Sequence, residues 1–223
     1  EIRFCDWSSD VCSSDLCSPA RYRALLALTL LAPQTPMLFM GQEFGASAQF
    51  RFFADHTEKL AGQVHAGRRA FVGQFQAYAD ARLQASIADP SLERTFLDSK
   101  LDWSECERRP GVLNLHRDLL KLRASDPVIS RQQGDSIDGA TLSEHCLALR
   151  WFDPDHGDRL LIANLSDELP SGSIAEPLLA PCRGNGWQMR WNSEAPEYGG
   201  LGAFEPVADY GRGAWHIQAQ CRF

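Results

Sequence analysis

The sequence predicts an α/β part followed by a small antiparallel β domain, on three observations. A helical pattern that starts at Ser18 is followed by a short apolar run, which is the helix–strand alternation of a parallel sheet. Beyond residue 126 the apolar period changes from helical to two, the period of strands. Proline and glycine recur between Leu169 and Gly213, as is typical of short strands joined by turns. We therefore predict domains at 17–125 and 126–223.

Residues 1–16, EIRFCDWSSDVCSSDL, differ from the rest of the chain. Ser-Ser-Asp occurs twice in them, and no helical or strand period surrounds it. The segment resembles translated sequencing-adapter sequence, so we exclude it from the fold. On this interpretation the natural protein extends upstream and the chain is a fragment. The alternative is a natural disordered N-terminus.

The first predicted element is a helix that begins at Ser18. Serine is a favourable N-cap, and Pro19 suits the first helical position. Apolar side chains lie almost all round the helix from Tyr22 to Leu31, which predicts a heavily buried helix that Pro33 ends.

The stretch TPMLFMGQEFG at 35–45 is predicted to be a strand that runs into a polar turn. The apolar run is too short for a helix and has prolines just before it, so we expect Thr35–Met40 to be a strand buried on both faces. The chain then changes to Gly41, Gln42 and Glu43. In α/β barrels substrate sites are built at the carboxyl ends of the strands. The alternative is a buried strand followed by an ordinary loop.

An aromatic loop follows, with Phe50, Phe52 and Phe53 before Asp55-His56. Loops at the strand-end face often line a site. Alternatively the loop covers apolar neighbours, with His56 bonded to Asp55 or capping the next helix. No nucleophile lies near His56 in the sequence, which disfavours it as a catalytic base.

Two further helices are predicted. In the first, capped by Thr57, one face carries a stripe expected to point into the core: Leu60, Val64, Phe71, Phe75 and Tyr78. The second runs from Val112 to Arg123, with Leu115, Leu119 and Leu122 on the same face as Val112, and Asp126-Pro127 closes it.

The β part should contain a hairpin and two more strands. His145–Phe152 and Leu160–Leu165 are strand-like and flank a turn. Trp187, Met189 and Trp191 alternate with polar residues, and 215–223 alternates most plainly of all.

Composition excludes several classes of protein. A net charge of −7 without a Lys/Arg cluster argues against nucleic acid. No apolar run has the length of a membrane span. The seven cysteines are scattered and lack ligand spacing, which predicts reduced thiols in a cytoplasmic protein without a metal site. We expect no cofactor.

Several motifs resemble one family. They are SPARYRALLALTLLAPQTPMLFMGQEFGASAQFRFFADH, GRRAFVGQF, TFLDSKLDW and LLKLRASDP. Together they look like the C-terminal half of the malto-oligosyltrehalose trehalohydrolases, in glycoside hydrolase family thirteen of the α-amylase clan. The pattern from Pro36 to Glu43 occurs across that clan, whereas GASAQFRFFADH and SKLDW are more particular to the trehalohydrolases. WNSEAPEYGG at 191–200 fits the clan's C-terminal β-sandwich.

This resemblance implies a fold and an activity. Thr35–Met40 would be the eighth strand of a (β/α)8 barrel whose last strand and helices occupy 17–125, with the β-sandwich at 126–223. The activity would be retaining hydrolysis of the α-1,4 bond next to a terminal trehalose unit. Such chemistry needs two carboxyl groups about 5–5.5 Å apart. In the family these groups, and a third aspartate, come from upstream strands, so we expect no catalytic residue here and an inactive chain.

The resemblance also suggests which residues would contact the glucan. Glu43 would accept hydrogen bonds from sugar hydroxyls, unless it is a structural carboxylate that binds backbone N–H groups. Phe44, Phe50 and Phe53 would stack on sugar faces, although we expect at least one to pack in the core. Asp55 and His56 complete the predicted substrate-binding set, with the order of Asp55-His56 reversed relative to the family's His-Asp motif.

Two alternatives remain from the sequence. One is another α-glucan hydrolase or branching enzyme of the clan, against which SKLDW and FFADH argue. The other is a non-catalytic glucan-binding module with Trp187, Trp191 and Trp215 as its stacking platform. We also expect poor solubility, because one helix and one strand cannot close a barrel. Chain-length preference and oligomeric state stay open.

Overall fold

The computed structural model describes residues 18–75, 87–166, 174–181, 186–202, 207–209 and 215–217, the last two ranges by their backbone only. These residues fall into two units, one within Ala46–Glu105 and the other formed by 18–45 together with the residues from Cys106 onward. The predicted domain boundary at residue 126 rests on the change of hydrophobic period along the sequence, not on contacts in the structure. It stays a prediction. The predicted adapter-like segment lies outside the described residues.

Five helices and five strands are described. The helices are α1 (Pro19–Leu31), α2 (Glu58–Val72), α3 (Glu93–Asp98), α4 (Glu105–Arg108) and α5 (Pro110–Ser125). The strands are β1 (Ile137–Ser143), β2 (Cys146–Trp151), β3 (Arg159–Asn164), β4 (Val207–Asp209) and β5 (Trp215–Ile217). None of these helices combines the length and apolar character needed to cross a bilayer.

Helices α1 and α5 form the core of the second unit. Ser18 caps α1 as predicted, its Oγ accepting from the Arg21 N–H at 3.4 Å. Leu30, Leu115 and Leu119 are at most 1% exposed, which confirms the predicted burial of α1 and the predicted apolar face of α5. Ile129 and Tyr198 complete this cluster. Burial of such side chains is the main favourable contribution to folding.

An antiparallel three-stranded sheet in the order β1-β2-β3 follows. The hairpin of β2 and β3 pairs Cys146 with Asn164 and Trp151 with Arg159, which confirms the predicted hairpin. Strand β1 was not predicted; its sequence, IDGATLS, contains a glycine and polar residues that weaken a strand pattern. Strands β4 and β5 pair with each other, so part of the predicted C-terminal strand is a strand, and its remainder lies outside the described residues.

The predicted strand Thr35–Met40 is not a strand in the structure. Within the described residues no other strand pairs with this segment, and a strand exists only through hydrogen bonds to a neighbour. Leu38 packs against the core cluster, whereas Met37 is 79% exposed, and Phe39 and Met40 are also exposed. The prediction of burial on both faces is therefore wrong for this chain.

Two further predictions need correction. Helix α2 ends at Val72, and Leu60, Phe71 and Phe75 are exposed, so the predicted stripe is not a core face; Tyr78 lies outside the described residues. The segment around Trp187, Met189 and Trp191 alternates in sequence but forms no strand. The apolar residues of α2 have the helical period but stay exposed, and the tryptophans at 187 and 191 pack against other residues without any strand pairing.

A buried ion pair joins α1 to the segment at 192–202. Nη2 of Arg23 donates to Oε1 and Oε2 of Glu194 at 2.6 and 2.7 Å, and the two side chains are 8% and 6% exposed. Gly200 lies directly against the Glu194 backbone, and a Cβ at position 200 would overlap it. The close approach of the two backbone segments therefore requires glycine.

A second buried arginine, Arg123 of α5, holds the end of α1. Its guanidinium donates to the carbonyl oxygens of Leu30, Ala32 and Gln34 at 2.7, 2.6 and 2.9 Å. The last carbonyls of a helix lack partners within the helix, and a cation near them also interacts favourably with the helix dipole. Arg123 thus fixes where α1 ends and how the chain enters Thr35–Met40.

Asp126 connects α5 to the sheet. Its Oδ1 accepts from the backbone N–H groups of Val128 and Ile129 at 2.9 and 3.1 Å, and its Oδ2 accepts from Arg159 Nε at 2.8 Å. Burial alone would raise the pKa of this carboxyl, but the hydrogen bonds from Arg159, Val128 and Ile129 outweigh burial and lower the pKa below 3.8.

We expect Asp126 to make stability depend on acid pH. A carboxyl whose pKa is depressed in the folded state stabilises that state above the unfolded pKa of 3.8, and this contribution disappears as the pH falls through the folded value. Urea unfolding from pH 7 to pH 2 should therefore show that Asp126→Asn destabilises the chain near neutrality and that the difference from wild type shrinks below about pH 4. Asp135→Asn, at an exposed position, is the control. A difference for Asp126→Asn that stays constant with pH would contradict the prediction.

Candidate functional site

The predicted site residues Glu43 and Phe44 lie on a single 3₁₀ turn, Gln42–Phe44. Two glycines in the left-handed region flank it, Gly41 with φ 85° and Gly45 with φ 62°. Glycine adopts these angles without steric cost, so the GQEFG sequence reverses the chain sharply after the apolar run. The turn leaves Glu43 half-buried and Phe44 fully buried.

Phe44 is consequently not available for the predicted stacking on a sugar. Its ring is 0% exposed, and it packs in the interior of its unit. This outcome agrees with the expectation that one of the three phenylalanines belongs to the core. Glu43, on the same turn, is half-buried.

The start of α5 supports the turn. Arg109 donates to the carbonyl oxygen of Gly45, and a Cβ at Gly45 would lie 3.8 Å from a methyl group of Val112. On the α1 side, the Tyr22 hydroxyl lies 3.4 Å from the carbonyl oxygen of Gln42. Contacts from α1 and α5 thus fix the backbone on either side of Glu43.

His116 of α5 was not predicted as a site residue. It is 1% exposed, and its Nδ1 is 2.9 Å from the carbonyl oxygen of Val112, one helical turn earlier. Burial lowers the pKa of His116, while the Val112 carbonyl and the negative charge of Glu43 act in the opposite direction. In the sequence, His116 stands out as one histidine on the otherwise apolar face of α5. This pattern does not indicate which residue the histidine contacts.

The other four predicted residues belong to the loop before α2, in the other unit. Phe50 and Phe53 are half-buried and meet edge to face at 5.8 Å, and Phe53 also meets Phe96 of α3 at 5.1 Å. Asp55 and His56 are exposed. A substrate role for these four residues stays a prediction.

Hydrogen bonds to Ser99 hold this aromatic loop. The Arg51 backbone N–H donates to Ser99 Oγ at 3.0 Å, and Ser99 Oγ lies 3.0 Å from the Arg51 carbonyl oxygen. The Arg51 guanidinium also reaches Asp98 at 3.5 Å. Ser99 and Asp98 belong to the TFLDSKLDW motif, so this motif positions the loop.

Two of the tryptophans proposed as a glucan platform are engaged in packing. Trp187 donates from Nε1 to the Leu179 carbonyl oxygen at 2.7 Å, and the Arg150 guanidinium lies 5.2 Å from its ring. Trp191 is half-buried and packs against Tyr198, with ring centroids 6.1 Å apart. The side chain of Trp215 lies outside the described residues. Nothing in the described chain therefore favours an exposed platform.

One acidic cluster has ligand-like residue types. Asp153, Asp155 and His156 lie close together, but the Asp153 carboxylate accepts from the backbone N–H groups of Asp155 and His156 and pairs with Arg131. These bonds, led by that from the His156 N–H, lower the pKa of Asp153. The cluster is a hydrogen-bonded turn.

The chain is similar to known proteins both in sequence and in structure. A family described as a domain of unknown function (DUF3459) matches residues 134–208, which contain the three-stranded sheet. The structure is similar to a crystal structure titled "Putative alpha Amylase from Salmonella typhimurium", with a TM-score of 0.56 and 31% identity over 69% of this chain and 27% of that one. The chain is therefore related to the α-amylases.

Within that class the sequence is similar to malto-oligosyltrehalose trehalohydrolases. It is 36% identical to that of Deinococcus radiodurans over 190 residues, which are 81% of this chain and 29% of the relative. It is 32% identical to that of Mycobacterium tuberculosis over 75% of this chain and 26% of the relative. For Arthrobacter ramosus the identity is 44% over 47% of this chain and 18% of the relative. The resemblance predicted from the motifs is confirmed, and the chain spans less than a third of the length of these relatives.

Proposed function

We propose that this chain is part of a glycoside hydrolase that cleaves the α-1,4 bond next to the trehalose end of maltooligosyltrehalose and releases trehalose. The observation that carries the proposal is the 36% identity to a trehalohydrolase over 81% of the chain. The motifs that distinguish trehalohydrolases from other members of the clan support it, because TFLDSKLDW positions the aromatic loop through Ser99 and Asp98.

Within such an enzyme the chain contributes binding and support rather than the reacting carboxyl groups. Glu43 accepts hydrogen bonds from sugar hydroxyls, for which a half-buried carboxylate residue on a turn held by neighbouring helices is suited. Phe50 and Phe53 offer ring edges and faces at the loop, and Asp55 and His56 are exposed beside them. The nucleophile and the acid/base come from the part of the enzyme that precedes these residues.

The finer part of the fold is also a proposal. In the full enzyme, Thr35–Met40 is the last strand of a (β/α)8 barrel. Its support is the one-sided packing of the segment, in which Leu38 contacts the core while Met37 and Phe39 are exposed. Neighbouring strands would pair its backbone and cover those side chains.

A chimeric enzyme tests the activity. The matching segment of the Deinococcus radiodurans trehalohydrolase is replaced by residues 18–223, and products from maltooligosyltrehalose are separated by chromatography. We expect trehalose as the released disaccharide, and Glu43→Ala in the chimera should lower kcat/KM by about 10- to 100-fold, the value of one or two hydrogen bonds to a charged group.

Two controls make this result interpretable. The 223-residue chain alone should release no trehalose, and Glu144→Gln, an exposed position in the β1–β2 turn, should leave the chimera's activity unchanged. Maltose or branched glucan as the product would instead favour another activity of the α-amylase clan. Full activity of the isolated chain would overturn the proposal that the reacting carboxyl groups lie elsewhere.

A further inference from the structure

Gln42 is the residue at which the contacts of the Gln42–Phe44 turn converge. Its backbone N–H donates to the Phe39 carbonyl oxygen at 3.0 Å, and its own carbonyl oxygen accepts from the Gly45 N–H at 3.1 Å. The Tyr22 hydroxyl of α1 reaches the same carbonyl oxygen at 3.4 Å. The residues before and after the turn are therefore both bonded to this one residue.

The side chain of Gln42 makes a further bond, back to the apolar segment. Its Oε1 accepts from the backbone N–H of Phe39 at 3.2 Å, within the range of a hydrogen bond. A backbone N–H only donates, so the contact requires the amide oxygen, and neither a hydrocarbon nor a cationic side chain could replace it. Phe39 and Gln42 thus exchange two hydrogen bonds, one through the backbone and one through the side chain.

This side-chain bond occupies a backbone group that a strand would use. In a sheet, the N–H groups that face a neighbouring strand pair with the carbonyl oxygens of that strand. With its N–H bonded to Gln42, Phe39 does not donate to a neighbour. A ladder formed by Thr35–Met40 would therefore end before Phe39 on that side, and the turn that bears Glu43 would begin at the same place.

We propose that Gln42 is a positioning residue for Glu43: its side-chain amide ends the strand at Phe39 and holds the backbone that carries Glu43 in one conformation. Gly41 and Gly45 permit the reversal, with φ 85° and φ 62°, but glycine populates other conformations as readily. The bonds to Gln42 select among them. The importance of this conformation for the glucan rests on the proposed function, whereas the bond between Gln42 and Phe39 does not.

Amide exchange in the full chain tests the positioning without any assay of activity. Labelling with ¹⁵N-phenylalanine limits the spectrum to the 12 phenylalanines, among which Phe39 and Phe44 lie on either side of Glu43. Gln42→Met has a similar length but no acceptor. It should accelerate exchange at Phe39 and Phe44 by about 2- to 10-fold, the effect of one hydrogen bond between neutral groups.

Three further variants complete this test. Gln42→Glu keeps an acceptor at the same distance and should preserve slow exchange at Phe39. Gln42→Asn is one methylene shorter and loses the bond while remaining polar, so it serves if Gln42→Met does not fold. Gln133→Met makes the same change at an exposed position and should have no effect. Unchanged exchange at Phe39 in both Gln42→Met and Gln42→Asn would overturn the proposal.

The trehalohydrolase chimera supplies a second readout. Gln42→Met should lower kcat/KM by about 2- to 10-fold, mainly through KM, while Gln42→Glu should retain most of the activity and Gln133→Met all of it. In a chimera that already carries Glu43→Ala, Gln42→Met should add little, because a positioning residue has no effect once the group that it positions is absent. Losses that simply multiply would show that Gln42 acts independently of Glu43 and would contradict the proposal.

The two hypotheses fail in different ways. If the unmodified chimera releases no trehalose, the proposed function is wrong, and exchange at Phe39 and Phe44 still decides whether Gln42 holds the turn. If the chimera is active but Gln42→Met costs the same with and without Glu43, the positioning role is wrong and the function stands.

Discussion

Glu194→Ala is expected to lower the free energy of unfolding by about 3–5 kcal/mol, the usual effect of breaking a buried ion pair. The substitution leaves the Arg23 guanidinium buried without its carboxylate partner, and Arg23 Nε already has no hydrogen-bond partner within the described residues. It also releases the 192–202 segment from α1. Urea unfolding of the full chain, followed by circular dichroism, measures the change.

A matched exposed pair gives the control. Arg94 and Asp98 are four residues apart on α3 at 2.6 Å, but the Arg94 side chain is 81% exposed. Arg94→Ala should therefore cost no more than about 1 kcal/mol. Replacing the buried pair as a whole, with Arg23→Met and Glu194→Leu together, should recover most of the loss because no unpaired charge remains. A cost of Glu194→Ala as small as that of Arg94→Ala would show that water reaches the pair.

Arg123→Ala should have the second large effect, about 2–5 kcal/mol. It removes the donor from three carbonyl oxygens at the end of α1, and buried acceptors left unsatisfied cost about 1–3 kcal/mol each, not fully additively. The loss should extend beyond stability, because the same bonds direct the chain toward the turn that bears Glu43. Amide exchange of residues 30–45 should therefore accelerate even when unfolding is globally suppressed.

Neighbouring variants separate this role from a general effect on α5. Arg123→Lys keeps the charge but has no planar fork, so it should retain part of the stability. Lys121→Ala, at an exposed position on the same helix, should change the free energy of unfolding by less than about 0.5 kcal/mol. An Arg123→Ala chain with unchanged exchange at 30–45 would mean that other contacts fix the end of α1.

Local patterns predicted the elements whose partners are near in sequence. The Ser18 cap, the α5 face with Leu115 and Leu119, and the β2–β3 hairpin depend on contacts within one helix or across one short turn. Thr35–Met40 has an equally clear apolar run, yet a strand also needs a neighbour to pair with, and none of the described strands pairs with it. The hydrophobic period of a segment does not show whether a neighbouring strand is present to pair with it.

The site was predictable in part for the same reason. The GQEFG turn could be placed from its glycines, and Glu43 from the polarity that follows the apolar run. The contact between the turn and the start of α5 could not, because Arg109, which donates to the Gly45 carbonyl oxygen, lies 64 residues downstream. The sequence likewise did not indicate that Arg23 and Arg123 are buried, since an arginine in a helix usually lies at the surface.

The contact of Gly200 with the Glu194 backbone has a consequence for how this sequence can diverge. A methyl group at position 200 would push that backbone away and draw the Glu194 carboxylate from Arg23, although it adds no charge and removes none. A half-buried glycine in an external turn thereby controls the electrostatics of an interior site. A relative with another residue at position 200 therefore needs either a different backbone path in this turn or a residue other than arginine at position 23.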